Sequence, residues 1–198
     1  MPHLTRAALA SRFPVHVTMR IQRGLPGLRT RETYRVLCRA FDKARERAGR
    51  LEGGVFRLVH YSVQNDHLHL ICEARNRESL SRGIQGLSTR IAKGLNRFWQ
   101  RKGKVFADRY HDRILRTPRD VRNVLRYVLN NARKHGLHVS RRRPDAFTSG
   151  AWFDGWRDYV PDGFLGLEGP IARAHTWLLS FGWRRHGRIS LTEVPGLR

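Results

Sequence analysis

Two strand-like segments joined by three residues constrain the fold of this chain more than any other feature. Residues 55–63 and 67–73 are rich in β-branched, aromatic and alternating apolar residues, and Gln64, Asn65 and Asp66 separate them. Because so short a connection between two such segments is typical of antiparallel neighbours, the sequence predicts a β-hairpin.

The segments around the hairpin extend it to a complete fold. Residues 15–21 have the pattern of a strand, and residues 105–115 that of a strand or an extended segment. Apolar residues at helical spacing predict helices over 30–48, 78–101 and 117–135. The first six elements follow the order strand, helix, strand, strand, helix, strand. This is the order of a ferredoxin-like sandwich, an α+β fold with an antiparallel sheet and helices on one face.

Capping residues delimit the first and last of these helices. Thr30 is a predicted N-cap, and Gly49 is expected to end the first helix. Thr117 precedes a proline in the first turn of the last helix, and Gly136 is expected to end it. The last helix is predicted as an addition to the six-element sandwich.

The charge of the chain points to a polyanionic partner. Lys and Arg number 39 against 16 Asp and Glu, a net charge of +23, which favours nucleic acid. Part of this charge forms a stripe on the helix over 78–101, on a different face from its apolar residues, although a plain solvated face is the alternative. The stripe consists of Arg90, Lys93, Arg97, Arg101 and Lys104.

Composition also divides the chain and indicates its surroundings. After Arg141, Arg142 and Arg143, Trp, Gly, Asp and Pro become frequent, so we expect a domain over 1–140 and a basic, Trp-rich extension over 141–198. The extension either docks on the core or binds DNA. Cys38 and Cys72 are predicted to be reduced core residues. Without an apolar run of the ~20 residues that a membrane helix needs, we expect a cytoplasmic protein.

His67 and His69 are candidate metal ligands. Residues two apart in a strand share a face, so both imidazoles point the same way and can hold one divalent ion. By itself this spacing is more typical of the polar face of a strand. Asp66 precedes the pair and is interpreted as a turn-forming residue, with a place beside the metal as the alternative.

Tyr127 and Asn131 are the other candidates for a catalytic site. They are four residues apart in the predicted last helix, and Lys134 continues the same row. Alone, a tyrosine at the edge of an apolar stripe is usually a packing residue. Together with two imidazoles, an oxygen ligand completes a three-point site for Mg²⁺ or Mn²⁺, which activates a phosphate for attack by the phenol.

Three short motifs resemble one family. The stretch from Gln64 to Leu70 is similar to the His-hydrophobic-His motif of HUH endonucleases, residues 105–115 to the strand before the catalytic helix of single-tyrosine transposases, and residues 127–131 to their tyrosine motif. The resemblance is strongest to the REP-associated tyrosine transposases and covers about residues 13–138. Two departures are Val63-Gln64-Asn65-Asp66 in place of Met-Pro-Asn before the first histidine, and Ala132 in place of a proline.

The resemblance implies a complete activity. It implies Tyr127 as the nucleophile, with His67, His69 and Asn131 as ligands of Mg²⁺ or Mn²⁺. It further implies a 5′-phosphotyrosine intermediate, single-stranded DNA beside hairpins as the substrate, and a bacterial, nucleoid-associated protein. Some members are homodimers that exchange the catalytic helix, and a monomer is an open alternative. The predicted DNA contacts are the α-helical stripe together with Arg109, Arg113, Lys134, Arg141, Arg142 and Arg143.

The sequence bears on three alternative functions. A domesticated DNA-binding protein that no longer transposes can keep the same residues. An RNA-binding module of the same fold relies on aromatic residues along the central strands, where this chain has His67 and His69. A zinc hydrolase is disfavoured because the chain has neither an HExxH nor a CxxC pattern.

Overall fold

The computed structural model describes residues 7–50, 55–134, 136–137, 139–159 and 169–194. Within these ranges the strands are β1 (Val15–Arg20), β2 (Phe56–Val63), β3 (His67–Ala74) and β4 (His111–Ile114). They form one sheet in the order β2-β3-β1-β4, with antiparallel neighbours throughout. The predicted hairpin and the predicted ferredoxin-like α+β fold are confirmed.

Helices α1 (Arg31–Arg50) and α2 (Arg77–Phe98) cover one face of the sheet. The Thr30 hydroxyl accepts a hydrogen bond from the backbone N–H of Thr33 at 3.2 Å, as predicted for an N-cap, but the helix continues past Gly49. Alternate residues of the strands supply the other half of this core. Its fully buried side chains include Val17, Leu37, Phe41, Tyr61, Leu68, Leu70, Leu87 and Ile91.

Helix α3 (Pro118–Leu129) covers the opposite face and carries Tyr127. The Thr117 hydroxyl accepts from the backbone N–H of Asp120 at 3.1 Å, which confirms the predicted start of the helix. The buried apolar residues of α3 pack with Val59 and Ile71, which point away from the α1–α2 core. The sheet therefore has a core on each face, and the second core fixes the position of the tyrosine helix.

The prediction of one continuous helix to residue 135 was wrong. Helix α3 ends at Leu129, and a short helix α4 (Asn131–Lys134) follows the cap residue Asn130. The side chain of Asn130 donates to the carbonyl oxygens of Ser190 and Glu193 at 2.9 and 3.0 Å, so an asparagine that favours helix ends is also held by a neighbouring segment. Gly136 ends α4 at a φ of 68°, as predicted.

Only the last part of the segment over 105–115, which was predicted as a strand or an extended segment, is a strand. Strand β4 starts at His111, and Phe106 makes an isolated antiparallel bridge with Ile21. Between them, the carboxylate of Asp108 accepts from the backbone N–H of Arg109 at 2.6 Å. Aspartate competes in this way for backbone donors and favours a turn, which ends the pairing. Arg109 consequently lies outside the strand that carries Arg113.

The described part of the C-terminal extension packs against the core. The partly buried Arg29 forms a two-point ion pair with Asp145, with nitrogen–oxygen distances of 2.9 and 3.0 Å. At the other end, Arg122 of α3 donates to both carboxylate oxygens of Glu193 at 2.8 and 3.0 Å. Between these contacts lies helix α5 (Trp177–Ser180). The sequence left docking and DNA binding open for this segment, and the structure shows that it docks.

Candidate functional site

The imidazoles of His67 and His69 and the hydroxyl of Tyr127 lie together on the α3 face of the sheet. The Nε2 atoms of the two histidines are 3.0 Å apart, and the Tyr127 oxygen is 3.3 Å from Nε2 of His69. His69 is buried, whereas His67 and Tyr127 are partly exposed. One chain thus supplies all three groups, at a place that solvent reaches from one side.

Asp66 orients the ring of His67. Its carboxylate accepts from Nδ1 of His67 at 2.6 Å and lies 3.7 Å from the guanidinium of Arg20. Partial burial raises the pKa of Asp66, but the hydrogen bond and charge of His67 and the charge of Arg20 bring that pKa below its usual value. With its proton held at Nδ1, His67 directs the lone pair of Nε2 toward His69.

Two side chains of β1 contact the ring of His69. Nδ1 of His69 lies 3.2 Å from Nε2 of His16 and 3.2 Å from the hydroxyl of Thr18. Burial, together with the charge of Arg113, lowers the pKa of His16 to about 4, so that this ring is neutral at neutral pH. A neutral His16 and a hydroxyl can both accept from Nδ1 of His69, which leaves its Nε2 lone pair facing the site.

The histidine pair fits a divalent cation. Two lone pairs that face each other at 3.0 Å repel unless a cation or a shared proton lies between the nitrogens. Metal–nitrogen bonds of about 2.1 Å at a right angle place two ligand atoms about 3.0 Å apart. The spacing of the two Nε2 atoms therefore matches neighbouring positions in a metal coordination shell.

Asn131 offers an unsatisfied amide near the end of the tyrosine helix. It is fully buried, and within the described ranges neither its amide nitrogen nor its amide oxygen has a hydrogen-bond partner. Buried amides without partners are costly, and a bound ligand is one way to satisfy them. The described residues contain no cluster of three or more His, Cys, Asp or Glu side chains suited to a metal.

The predicted basic stripe reaches the same end of the sheet as His67. Residue 21, directly after β1, donates its N–H to the carbonyl of Asp66 at 2.9 Å, and Gln22 donates to the carbonyl of Val105 at 2.8 Å. The loop from Arg101 to Lys104 is thereby held beside the imidazole end of β3. Arg90, Lys93 and Arg97 extend the stripe along α2 from there.

The remaining predicted DNA contacts differ in their surroundings. Lys134 lies 5.0 Å from the centre of the Tyr127 ring, so its charge is inside the site. Arg113 is paired with Asp120 at 2.9 Å, which reduces the charge it can offer to a phosphate. Arg109 is exposed on the turn before β4. Arg141, Arg142 and Arg143 are exposed at the start of the extension.

Sequence reasoning missed His16 and Thr18. They alternate along β1 and point to the same face as His67 and His69, but this becomes visible only when β1 is paired with β3. The register sets Thr18 opposite His69. Once the strand order of the predicted fold is written out, the alternating polar residues of β1 are the signal that identifies them.

No protein-family model and no curated protein matches the sequence. The chain is similar in structure to a REP-associated tyrosine transposase solved with a bound REP hairpin. Sequence identity is 19%, the match covers 70% of this chain and 76% of the other, and the TM-score is 0.54. The two chains share their fold. None of the helices in the described ranges combines the length and hydrophobicity of a membrane span.

Proposed function

We propose that this chain is a metal-dependent DNA transposase of the REP-associated tyrosine type, which cleaves and rejoins single strands through Tyr127. The observation that carries the proposal is the convergence of a tyrosine hydroxyl and two imidazoles within hydrogen-bond distance on a strongly basic chain. Both imidazoles come from β3 and the hydroxyl comes from α3, so packing of α3 on the sheet brings the tyrosine to the histidine pair. The shared fold supports the assignment independently.

His67 and His69 are the proposed ligands of Mg²⁺ or Mn²⁺, and Asn131 is the proposed third ligand through its amide oxygen. When bound, the metal polarises the scissile phosphate and stabilises the departing 3′ oxygen. Asp66, His16 and Thr18 hold the two rings with their Nε2 atoms toward the metal. These contacts fix the orientation of both imidazoles before DNA binds.

Tyr127 is the nucleophile in this proposal. Its hydroxyl oxygen forms a bond to phosphorus and gives up its proton to solvent, while the bond from phosphorus to the 3′ oxygen breaks and that oxygen takes up a proton. The product is a 5′-phosphotyrosine and a free 3′-OH. Lys134, 5.0 Å from the ring, places a positive charge beside the developing anion. Attack of a 3′-OH on the phosphotyrosine reverses the step and rejoins DNA.

The proposed substrate is single-stranded DNA next to a hairpin. The exposed Lys93, Arg97 and Lys104 form a basic path toward the end of the sheet that carries His67, and such side chains bind phosphates regardless of sequence. The REP hairpin in the structurally similar transposase supports this choice of DNA. Base pairs in the hairpin and unpaired bases at the cleavage site then occupy different parts of the protein.

A covalent-adduct assay tests the proposal. The protein is mixed with single-stranded hairpin DNA from the flanks of its own gene, in Mg²⁺ or Mn²⁺, and run on a denaturing gel. We expect an adduct that disappears with a chelator and in Tyr127→Phe. Tyr110→Phe is the matched control, because it removes a hydroxyl whose partner is Ser81 on the other side of the sheet, and should keep the adduct.

Either negative outcome overturns the catalytic part of the proposal. An adduct that persists in Tyr127→Phe assigns the nucleophile to another residue. Tight hairpin binding without any adduct in either metal favours a DNA-binding protein that does not cleave.

A further inference from the structure

Five tryptophans occur in the chain, and they are used in different ways. Trp156 and Trp183 are buried at 2% and 1% exposure in the second core, and each indole N–H donates to a backbone carbonyl. Trp177 is instead 51% exposed, and Phe181, one turn later, is 67% exposed. Large aromatic side chains on a surface indicate a contact that the described residues do not make.

The backbone beneath this aromatic pair is rigidly held. Leu178 and Leu179 of α5 are buried, and the carboxylate of Glu73 on β3 accepts from the backbone N–H groups of His175 and Thr176 at 2.8 to 3.1 Å. A Cβ on Gly182 would lie 2.6 Å from the Trp177 ring, so the indole rests directly on backbone. Trp177 and Phe181 are therefore presented outward by an anchored segment.

Positive charge surrounds the pair. The guanidinium of Arg185 lies 4.9 Å from the centre of the Trp177 ring, and His186 and Arg188 are exposed nearby in the chain. Beside Phe181, a groove of about 920 Å³ has Arg45, Arg173 and Arg184 among its lining residues, together with Asp154, which pairs with Arg184 at 2.8 Å. Exposed aromatic rings near arginines are suited to single-stranded nucleic acid, because its bases stack on such rings and its phosphates carry negative charge.

We propose that Trp177 and Phe181, with Arg185, bind unpaired bases of single-stranded DNA at a site separate from the one that holds Tyr127. This inference rests on the proposed function for the choice of DNA. Bases stack on the two aromatic rings, and Arg185 contacts the intervening phosphate. We name this surface the aromatic patch.

The aromatic patch lies at the opposite end of β3 from the imidazoles. Glu73, which holds the start of α5, is six residues along the strand from His67, on the order of 20 Å. A DNA strand that contacts both the imidazoles and the aromatic patch therefore extends well beyond the cleaved phosphate. The patch therefore adds affinity for a single-stranded flank without entering the reaction.

Binding of fluorescently labelled oligo-dT, twenty nucleotides long, tests the patch by anisotropy at about 200 mM salt, where phosphate contacts are weakened. The double variant Trp177→Leu/Phe181→Leu keeps apolar side chains but removes both stacking faces, and we expect affinity to fall about tenfold. The matched control Trp177→Phe/Phe181→Tyr keeps both rings and should bind within about twofold of the original.

A crosslink on the unaltered protein provides a second measurement that does not depend on the folding of a variant. Oligo-dT carrying 5-iododeoxyuridine is irradiated with the protein, and crosslinked peptides are identified by mass spectrometry. Crosslinks at Trp177 or Phe181 are expected. Unchanged affinity in the leucine variant, or crosslinks confined to other peptides, overturns the proposal.

These results are separable from those of the cleavage assay. Oligo-dT has no hairpin, and its binding does not require Tyr127. If the leucine variant binds oligo-dT more weakly but no adduct forms, the aromatic patch is supported and the catalytic proposal is overturned. An adduct, together with unchanged oligo-dT binding by the leucine variant, supports the catalytic proposal and overturns the proposed aromatic patch.

Discussion

His69 is the residue on which the geometry of the candidate site depends most. Its Nδ1 contacts His16 and Thr18 of β1, and its Nε2 contacts His67 and Tyr127. Both nitrogens of this buried ring are therefore engaged. An imidazole fixed in this way has little rotamer freedom left, so the site is formed before any ligand binds.

Replacing Asp66 with Asn is expected to weaken metal binding about tenfold. The amide keeps the shape of the side chain but loses the charge that fixes the proton of His67 at Nδ1, and such supporting contacts are worth about 10- to 100-fold in affinity. Free Mn²⁺ measured by electron paramagnetic resonance during titration gives the affinity. The exposed Glu78→Gln on α2 is the control. Equal affinity in Asp66→Asn and Glu78→Gln would show that Asp66 only shapes the turn.

His60 makes stability depend on pH. Burial lowers the pKa of His60 to about 4, although the charge of Asp154 acts to raise it. The pKa of a histidine in an unfolded chain is about 6.5. Between these values the unfolded chain binds the extra proton, so the free energy of unfolding decreases as pH falls. The maximum slope is about 1.4 kcal/mol per pH unit for each such histidine.

Urea unfolding at several pH values between about 6.5 and 4.5 measures this slope. We expect His60→Gln, which does not titrate, to have a shallower dependence than the unaltered chain. His16 has the same lowered pKa and keeps part of the dependence in the variant. Identical slopes in the two proteins would mean that His60 is not the source.

Among the elements, α3 determines where the nucleophile lies. Its apolar stripe packs on Val59 and Ile71, and this orientation places Tyr127 at the edge of the stripe, over His69. The stripe and the cap at Thr117 could be predicted from sequence because both depend on local spacing. The break at Asn130 could not, because it depends on carbonyls of residues 190 and 193 that are distant in sequence.

Two glycines of α2 are expected to respond oppositely to alanine. A Cβ at Gly83 would meet carbon atoms of the Phe56 ring at 2.2 to 2.6 Å, so β2 and α2 cannot approach as they do with any larger residue there. At Gly86 the nearest atom is the flexible end of Arg90, at 3.4 Å. Alanine is favoured over glycine in a helix by about 1 kcal/mol.

Thermal unfolding of both variants measures the contrast. Gly86→Ala should raise stability by up to about 1 kcal/mol, whereas Gly83→Ala should lower it by about 1 to 3 kcal/mol, the usual cost of overpacking. A stabilised Gly83→Ala would mean that β2 and α2 are less closely packed than described.

For the whole molecule, the extension is part of the fold. It contacts the start of α1 through Asp145, β3 through His175 and Thr176, and α3 through Glu193. Composition predicted the boundary near residue 141 but could not tell whether the extension docks, because the contacts join residues about 60 to 120 positions apart. Charge pairing between distant segments leaves no periodic signal in the sequence.

The Arg29–Asp145 pair should contribute to stability of the whole chain. Its side chains are 14% and 6% exposed, so Asp145→Asn leaves a nearly buried guanidinium without its counter-charge. Removing one member of such a pair costs about 3 to 5 kcal/mol. Glu78→Gln breaks an exposed pair on α2 and should cost less than about 1 kcal/mol. If chemical denaturation showed similar losses of unfolding free energy for Asp145→Asn and Glu78→Gln, the extension would contribute little to the stability of the fold.

Peptide mapping of the adduct shows whether Tyr127 is the residue that becomes covalently joined to DNA. Trypsin cuts after Arg126 and Arg133, so Tyr127 lies in a short peptide of its own. With hairpin DNA and Mn²⁺, the account predicts a nucleotide 5′-phosphate on this peptide, with DNA labelled at its 3′ end retained and a 5′-labelled fragment released. A modification on any other tyrosine, or the opposite label retained, would contradict it.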